Sequence, residues 1–224
     1  MQVDGEWRLT AQRLAIHLPT GTAVVADLHL GYDQARRNRG DAVPVWGLGE
    51  TISVLTTAFR EHAVRRLLIA GDLMESQGAA NSVAAFLEWL AGTGVEFAGL
   101  VPGNHDRSIA INHLPIYAEG LVLGRWRVLH GDRALPRGRL VFGHIHPWFR
   151  WGCHSAPCFL ISSRRIIVPA FSLDAAGVNV LRHARWGRYR AAVIVGGRVL
   201  DFGKISTIQK HRRGAPHRVG GRMG

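Results

Sequence analysis

The pattern that most constrains the fold is an alternation of short apolar runs with amphipathic segments in the first half of the chain. Residues 23–26 within TAVVADLHLG, and the runs in VRRLLIAGDL and VEFAGLVPGNHD, each predict a buried strand. GETISVLTTAFREH carries Ile52, Leu55 and Phe59 at helical spacing, and NSVAAFLEWLAGTG predicts a second helix that ends at Gly92. Alternating strands and helices imply parallel βαβ units, so the chain is predicted to be an α/β protein.

After about residue 120 the pattern changes to short strands separated by turn signals, which predicts a second sheet. The 224 residues suffice for one large domain with a substantial core and are few for two, so we predict a single domain over 1–203. From Lys204 the chain has no apolar periodicity. Residues 204–224 are therefore predicted to be a basic tail, disordered beyond about Gln209.

The charge balance favours a polyanionic partner. There are 28 Lys+Arg against 16 Asp+Glu, which gives a net charge of +12. Only Lys204 and Lys210 are lysines, so nearly all the cations are arginines, whose forked guanidinium suits phosphate. A compositional bias toward arginine in a soluble enzyme accounts for the same numbers, because net charge governs association and not chemistry.

Cysteine usage and hydropathy predict a cytoplasmic protein without a membrane partner. Cys153 and Cys158 are the only cysteines, too few for a disulfide framework and without the second pair that a zinc site would need. The N-terminal segment lacks the continuous apolar core of a signal peptide. No apolar run approaches the length that crosses a bilayer.

Acids, amides and histidines follow directly after the apolar strands. They are Asp27, His29, Asp72, Asn104, His105, Asp106, His130, His144 and His146. Ligands of open α/β sheets bind outside the carboxyl ends of the strands, so five loops are expected to bring these side chains together. Each motif alone is weak, since a lone His-x-His is more often a surface turn. Together, the oxygen and imidazole groups suit two divalent ions with a bridging carboxylate.

The motifs DLH, GDLMES, GNHD, LHGD and GHIH resemble, in order, the five motifs of the calcineurin-like metallophosphoesterases. The family patterns are D-x-H, G-D, G-N-H-(D/E), H and G-H-x-H, and the match spans residues 27–146. The resemblance implies an α/β fold of four layers, an αββα sandwich of two mixed β-sheets flanked by helices. That fold agrees with the change of pattern near residue 120.

The resemblance also implies a role for each matching position. One metal would be held by Asp27, His29 and His146. The other metal would be held by Asn104, His130 and His144. Asp72 would bridge the two ions, and His105 would act as general acid beside the phosphate, its ring fixed and its charged form favoured by Asp106. The mostly hard ligand set favours Mn²⁺, with Fe or Zn²⁺ as alternatives.

A closer likeness is to the small phosphoesterases related to the SbcD nuclease, a branch that includes the DNA-ligase-associated, PdeM-type enzymes. It rests on ADLHLGYDQARRNRG and on the Pro-Cys-Phe and Pro-Ala-Phe segments that begin at Pro157 and Pro169. The chain departs from this branch at Ser172, where glycine often follows, and in the residues after Asp72. The branch implies repair partners of the DNA ligase or helicase type.

Four arginines are candidates for contact with substrate phosphate. Arg107 follows GNHD directly, so its position is tied to the site. Arg36, Arg37 and Arg39 follow the first metal loop and could clamp a phosphodiester strand. A solvated helix face explains these three equally well, because charge runs are usually solvated.

These observations predict a cytoplasmic dinuclear metallophosphoesterase that hydrolyses phosphodiester bonds. The expected substrate is nucleic acid, with single-stranded DNA favoured, in DNA repair or processing as a nuclease or phosphodiesterase. One alternative is a phosphatase or phosphodiesterase for a small nucleotide metabolite. The other is a non-catalytic scaffold on the same fold, because fold alone does not settle function.

Overall fold

The computed structural model describes residues 1–42, 47–108, 114–172 and 174–214. Four α-helices lie in these ranges: α1 (Tyr32–Asn38), α2 (Gly47–Glu61), α3 (Ala80–Ala91) and α4 (Ile205–Gly214). None of the helices in the described ranges combines the length and apolar character that a membrane crossing requires.

The first sheet contains six strands whose spatial order is their order in the chain. They are β1 (Gln2–Val3), β2 (Trp7–Leu9), β3 (Ala15–His17), β4 (Thr22–Val25), β5 (Arg66–Ala70) and β6 (Glu96–Val101). Strands β1 to β4 pair antiparallel, whereas β4, β5 and β6 pair parallel because α2 and α3 carry the chain back between them. The predicted βαβ units are confirmed.

The second sheet is also mixed. Its strands are β7 (Leu121–Leu123), β8 (Trp126–Leu129), β9 (Arg139–Phe142), β10 (Pro147–Trp151), β11 (His154–Ile161), β12 (Arg165–Ile167), β13 (Val178–Asn179), β14 (Arg190–Val195) and β15 (Arg198–Lys204). The order is β13-β10-β11-β12-β9-β8-β7, and β14 pairs with both β11 and β15. Strands β8, β9 and β12 run parallel, which points their carboxyl ends toward one edge.

The alternation of side chains along β5 shows that the first sheet lies between the helices and the second sheet. Leu67 and Ile69 pack in a cluster with α2 and α3, whereas Leu68 and Ala70 pack against the second sheet. Successive side chains of a strand point to opposite faces, so a strand covered on both faces must be apolar throughout. The apolar, buried residues 67–70 of β5 are therefore the run expected of a strand between two layers.

The outer face of the second sheet forms a third apolar cluster. Leu160 and Ile167 pack there with Trp186 and with Ile205 and Ile208 of α4. Three apolar interfaces separate four layers, so the predicted αββα sandwich of two mixed sheets is confirmed.

The structure differs from the predicted tail boundary at residue 204. Residues Ile205–Gly214 form α4, whose Ile205 is fully buried and whose Gln209 side chain donates to the Leu181 carbonyl at 3.2 Å. Ile205 and Ile208 are three residues apart and face the same side of one helical turn. Two apolar residues among basic ones give no visible periodicity in the sequence. Residues 215–224 lie outside the described ranges.

Replacing Ile205 with alanine tests whether α4 is part of the fold. We expect Ile205→Ala to lower the free energy of unfolding by about 2–5 kcal/mol, because it leaves a cavity in the third cluster. Thr207→Ala, at an exposed position of the same helix, should change it by less than about 0.5 kcal/mol. Equal urea midpoints for Ile205→Ala and wild type would show that α4 does not pack on the sheet.

Candidate metal centre

The predicted site residues lie in loops at one edge of the two sheets. Asp27 and His29 follow β4, Asp72 follows β5, and Asn104 follows β6. His130, which follows β8, comes from the second sheet, as do His144 and His146, which lie between β9 and β10. Because β4 to β6 run parallel, as do β8 and β9, the carboxyl ends of each set share one edge.

Backbone hydrogen bonds join these loops to one another. The Asp27 and His29 amides donate to the Gly71 and Asp72 carbonyls at 3.0 and 2.9 Å. The Gly143 amide donates to the His130 carbonyl at 2.9 Å, and the Ser172 amide donates to the Asp27 carbonyl at 3.1 Å. The last bond links the two sheets, so the edge is held as one unit.

Three groups of these side chains could hold a metal ion, since their ligand atoms lie within 4.8 Å of one another. The groups are Asp27, His29 and His146; His29, Asp72 and His105; and Asp72, His130 and His144. Asn104 joins the last group, with its Oδ1 atom 3.2 Å from His130 Nε2. All seven predicted ligands are therefore gathered in one continuous cluster.

Hydrogen-bond acceptors face one another in the first group. His29 Nδ1 lies 2.9 Å from the Glu75 carboxylate, which can only accept, so Nδ1 carries the hydrogen and Nε2 carries a lone pair. Among the described residues, His29 Nε2 and Asp27 Oδ1 are buried without a hydrogen-bond partner. His146 Nε2 lies 3.3 Å from that same Asp27 oxygen. A buried carboxylate beside the His29 lone pair fits a cation, which would offset the cost of burying unpaired polar atoms.

The second group shows the same arrangement. His130 Nδ1 lies 3.1 Å from the Ala70 carbonyl, so it carries the hydrogen and leaves a lone pair on Nε2. That Nε2 atom faces Asn104 Oδ1 at 3.2 Å and Asp72 Oδ2 at 3.4 Å. In the neutral ring this lone pair faces two oxygens that also accept, and His144 Nδ1, 3.1 Å from the same nitrogen, is the neighbour that can donate to it. Oxygen and imidazole groups that converge in this way fit a divalent ion.

Two of the histidines predicted as ligands have shifted pKa values. Burial and the neighbouring His130 ring lower the pKa of His144, which favours the neutral imidazole that binds metals. Burial also acts to lower the pKa of His146, but the Asp27 carboxylate outweighs it and raises that pKa. A positive charge is thus favoured next to Asp27.

Backbone conformation singles out the predicted ligands. Seven non-glycine residues in the described ranges have a positive φ, and five of them are predicted ligands. Those five are Asp27 (57°), His29 (48°), Asp72 (49°), His144 (65°) and His146 (48°). Such conformations cost on the order of 1 kcal/mol or more each and cluster at functional sites.

Two glycines let the backbone approach the carboxylates. A Cβ atom on Gly103 would lie 2.2 Å from Asp72 Oδ1, and one on Gly143 would lie 2.6 Å from Asp27 Oδ2. The space is used by the amides of His105 and His144, which donate to those oxygens at 2.9 Å each. The glycines that precede Asn104 and His144 in the motifs therefore have a steric role.

Glu75 is a site residue that the sequence analysis did not identify. Its carboxylate holds His29 Nδ1 at 2.9 Å and lies 3.8 Å from His105 Nδ1, and its carbonyl lies 3.1 Å from that same His105 atom. Burial acts to raise the pKa of Glu75, but the His29 hydrogen bond and the charges of His105 and Arg39 lower it overall. The sequence feature that could have identified Glu75 is its position three residues after Asp72, in the motif that departs from the family pattern.

The implied role of Asp106 needs correction. Its carboxylate accepts hydrogen bonds from the Gly103 and Leu73 amides at 2.8 and 3.0 Å, so it braces the loops after β5 and β6. The ring of His105 is held by Glu75 instead. Burial raises the pKa of Asp106, and the nearby Asp72 adds to the effect.

The candidate substrate arginines differ in their surroundings. Arg36 is bound to the Asp41 carboxylate at 2.6 Å and to the Tyr32 hydroxyl at 2.8 Å. Arg39 is the C-cap residue that follows α1, and its charge acts on Glu75, whereas Arg37 lines an open surface pocket. The Arg107 side chain lies outside the described part of the chain. A phosphate clamp from these residues remains a prediction.

The fold is shared with a solved nuclease. The chain is similar to the crystal structure of Pseudomonas putida nuclease MPE, with a TM-score of 0.71 and 22% sequence identity. The likeness covers 90% of this chain and 98% of that one. No protein-family model matches the chain, and no curated protein matches its sequence.

Replacing Glu75 with glutamine tests whether the Glu75 carboxylate positions the His29 ring. Because a carboxylate behind a ligating histidine fixes its tautomer and raises its basicity, Glu75→Gln should weaken Mn²⁺ binding by about 10–100-fold. Calorimetric titration of chelator-treated protein measures this change. Glu88→Gln, at an exposed position of α3, is the control and should bind as wild type does. Equal affinity in the two variants would contradict the role given to Glu75.

Proposed function

We propose that the chain is a dinuclear metal-dependent phosphodiesterase of the calcineurin-like type that acts on nucleic acid. The observation that carries the proposal is the pair of clusters on either side of Asp72, in which carboxylate, amide and imidazole groups converge at one edge of the sheets. Two such clusters with a shared carboxylate match the donor set of a two-metal centre.

The ligands divide as the resemblance implies. Asp27, His29 and His146 would hold one ion, Asn104, His130 and His144 the other, and Asp72 both. When bound, the ions neutralise charge on a phosphoryl oxygen and lower the pKa of water. Mn²⁺ is the proposed metal, with Fe or Zn²⁺ as alternatives.

His105 is the proposed general acid. Its Nδ1 atom lies 3.1 Å from the Glu75 carbonyl, which can only accept, so this nitrogen carries a hydrogen and Nε2 is left to exchange a proton with substrate. About one third of the side chain is exposed, so a phosphodiester can reach it. The Glu75 carboxylate, 3.8 Å from the ring, would stabilise the positive charge that the acid carries before transfer.

Nucleic acid is the proposed substrate, with single-stranded DNA favoured. The solved relative is a nuclease, and this chain carries a net charge of +12, almost all of it from arginine. The likeness to the SbcD-related and DNA-ligase-associated branch supports a role in DNA repair in the cytoplasm, with ligase- or helicase-type partners. Arg107 and Arg39 are the proposed phosphate contacts.

Hydrolysis of bis-p-nitrophenyl phosphate tests the proposed chemistry. Wild type should hydrolyse it with Mn²⁺ and lose the activity when a chelator removes the metal. Asp72→Asn should abolish turnover together with metal binding, whereas His105→Ala should keep the metal and lose about 10²–10⁴-fold in rate. Glu88→Gln is the matched control. A metal-loaded but inert wild type would support the scaffold alternative.

The substrate class is tested with the same preparation. Cleavage of single-stranded oligonucleotides and of cyclic nucleotides is compared at equal phosphate concentration. We expect the polymer to be preferred and its binding to weaken steeply with salt, because a phosphate backbone releases counterions on binding. Preference for the cyclic nucleotide, without a salt dependence, would favour the metabolite enzyme.

The division of the ligands predicts that neighbouring histidines serve different ions. His144→Ala and His146→Ala should each lower the bound Mn²⁺ from two ions to about one, because each belongs to a separate group. Metal analysis by mass spectrometry gives the count, and electron paramagnetic resonance should lose the signal of coupled ions in both variants. Loss of both ions from either variant would contradict separate sites.

A further inference from the structure

A groove rich in cations lies on the second sheet, away from the metal centre. Its charged lining is Arg164, Arg165, Arg188, Arg190 and Lys204, here called the basic groove. The cations come from four parts of the chain: the turn between β11 and β12, the start of β12, the approach to β14 and the end of β15. Ser162 and Ser163 add hydroxyl groups to the same wall.

Strand register places the basic groove at the edge opposite the metal centre. Arg165 pairs with Leu140 at the start of β9, and β9 then runs toward His144. Four residues of strand span about 13 Å. Arg190 pairs with both Ile161 and Lys204, so β11, β14 and β15 bring their ends to this same edge. The groove is thus separate from the ligand loops.

The basic groove has almost no negative charge to balance it. Asp201 contacts Arg190, with Nε at 3.1 Å from the carboxylate. Within the described ranges, no carboxylate forms an ion pair with Arg164, Arg165, Arg188 or Lys204. Uncompensated like charges destabilise a fold, so a surface that concentrates them favours an anionic partner.

The backbone around these arginines is fixed before any partner binds. The Leu140 amide donates to the Arg164 carbonyl at 2.9 Å, and the Ser162 amide donates to the Arg165 carbonyl at 2.8 Å. The Arg188 guanidinium lies over the Tyr189 ring, 5.5 Å from its centroid. Guanidinium groups on a fixed backbone bind phosphate with less loss of conformational entropy.

We propose that the basic groove is a second, non-catalytic site for the phosphodiester backbone of nucleic acid. The identity of the polymer rests on the proposed function, whereas the anionic character of the ligand rests on the groove itself. A strand held at both edges must pass around the second sheet, so long strands gain a second attachment that short ones lack. The groove would then retain a long substrate while its bonds pass the metal centre.

Oligonucleotide binding without metal isolates the groove. Fluorescence anisotropy is measured in chelator with oligothymidine of about 30 and about 6 nucleotides, the first longer than a typical single-strand site of roughly 4–16 nucleotides and the second near its lower end. The variant combines Arg164→Ala, Arg165→Ala and Arg188→Ala. The control combines Arg60→Ala, Arg65→Ala and Arg198→Ala, exposed positions outside the groove, and removes the same net charge.

We expect the groove variant to bind the long strand at least tenfold more weakly and the control to stay within about threefold of wild type. Loss of three phosphate contacts should also reduce the slope of log affinity against log salt by about two. Hydrolysis of bis-p-nitrophenyl phosphate should be unchanged in the variant, because this substrate is too small to span the distance from the metal centre to the groove. Equal long-strand affinity in variant and control would overturn the proposal.

The outcome separates this inference from the proposed function. A wild type that fails to hydrolyse any phosphodiester, while the variant still loses affinity for the long strand, would refute the enzyme and keep the groove. An active wild type whose variant binds the long strand as the control does would keep the enzyme and refute the groove.

Discussion

The site depends on one electrostatic constraint: two carboxylates are buried at one edge of the sheets, and imidazole nitrogens converge on each of them. Asp27 is fully buried and Asp72 is nearly so, and the neighbouring His29 and His130 rings have their second nitrogens committed to Glu75 and to a carbonyl. Such an arrangement is costly without a cation. The surrounding loops have the backbone conformation that holds these buried polar groups together.

The conformation of these loops depends on their backbone. Parallel strands in both sheets end at the same edge, and amide-to-carbonyl bonds then join loops from different sheets. The ligands themselves adopt left-handed conformations, and glycines at positions 103 and 143 leave room for amides to reach the carboxylates. Local strain is accepted there because the tertiary hydrogen bonds around it fix the conformation.

The fold and the gathering of the candidate ligands at one edge were predictable from the sequence because both depend on local signals. An apolar run that stops at a polar residue can be seen within a few positions, and the order of five such stops limits the topology. Glu75 could not be assigned a role this way, since its partner His29 lies 46 positions away. Asp106 was misassigned for the same reason, because its backbone partners are fixed only by the tertiary fold. Helices α1 and α4 lack the apolar stripe that marks a helix in sequence, and α4 is held by two isoleucines on the third cluster.

The central claim is that a cation site lies at one edge of the molecule, opposite the basic groove at the other edge. Anomalous X-ray diffraction from crystals grown with Mn²⁺ tests that claim directly. We expect two peaks about 3.5–4 Å apart. Asp72 should lie between them, with Asp27 beside one peak and Asn104 beside the other. A single peak, or peaks away from Asp72, would contradict it.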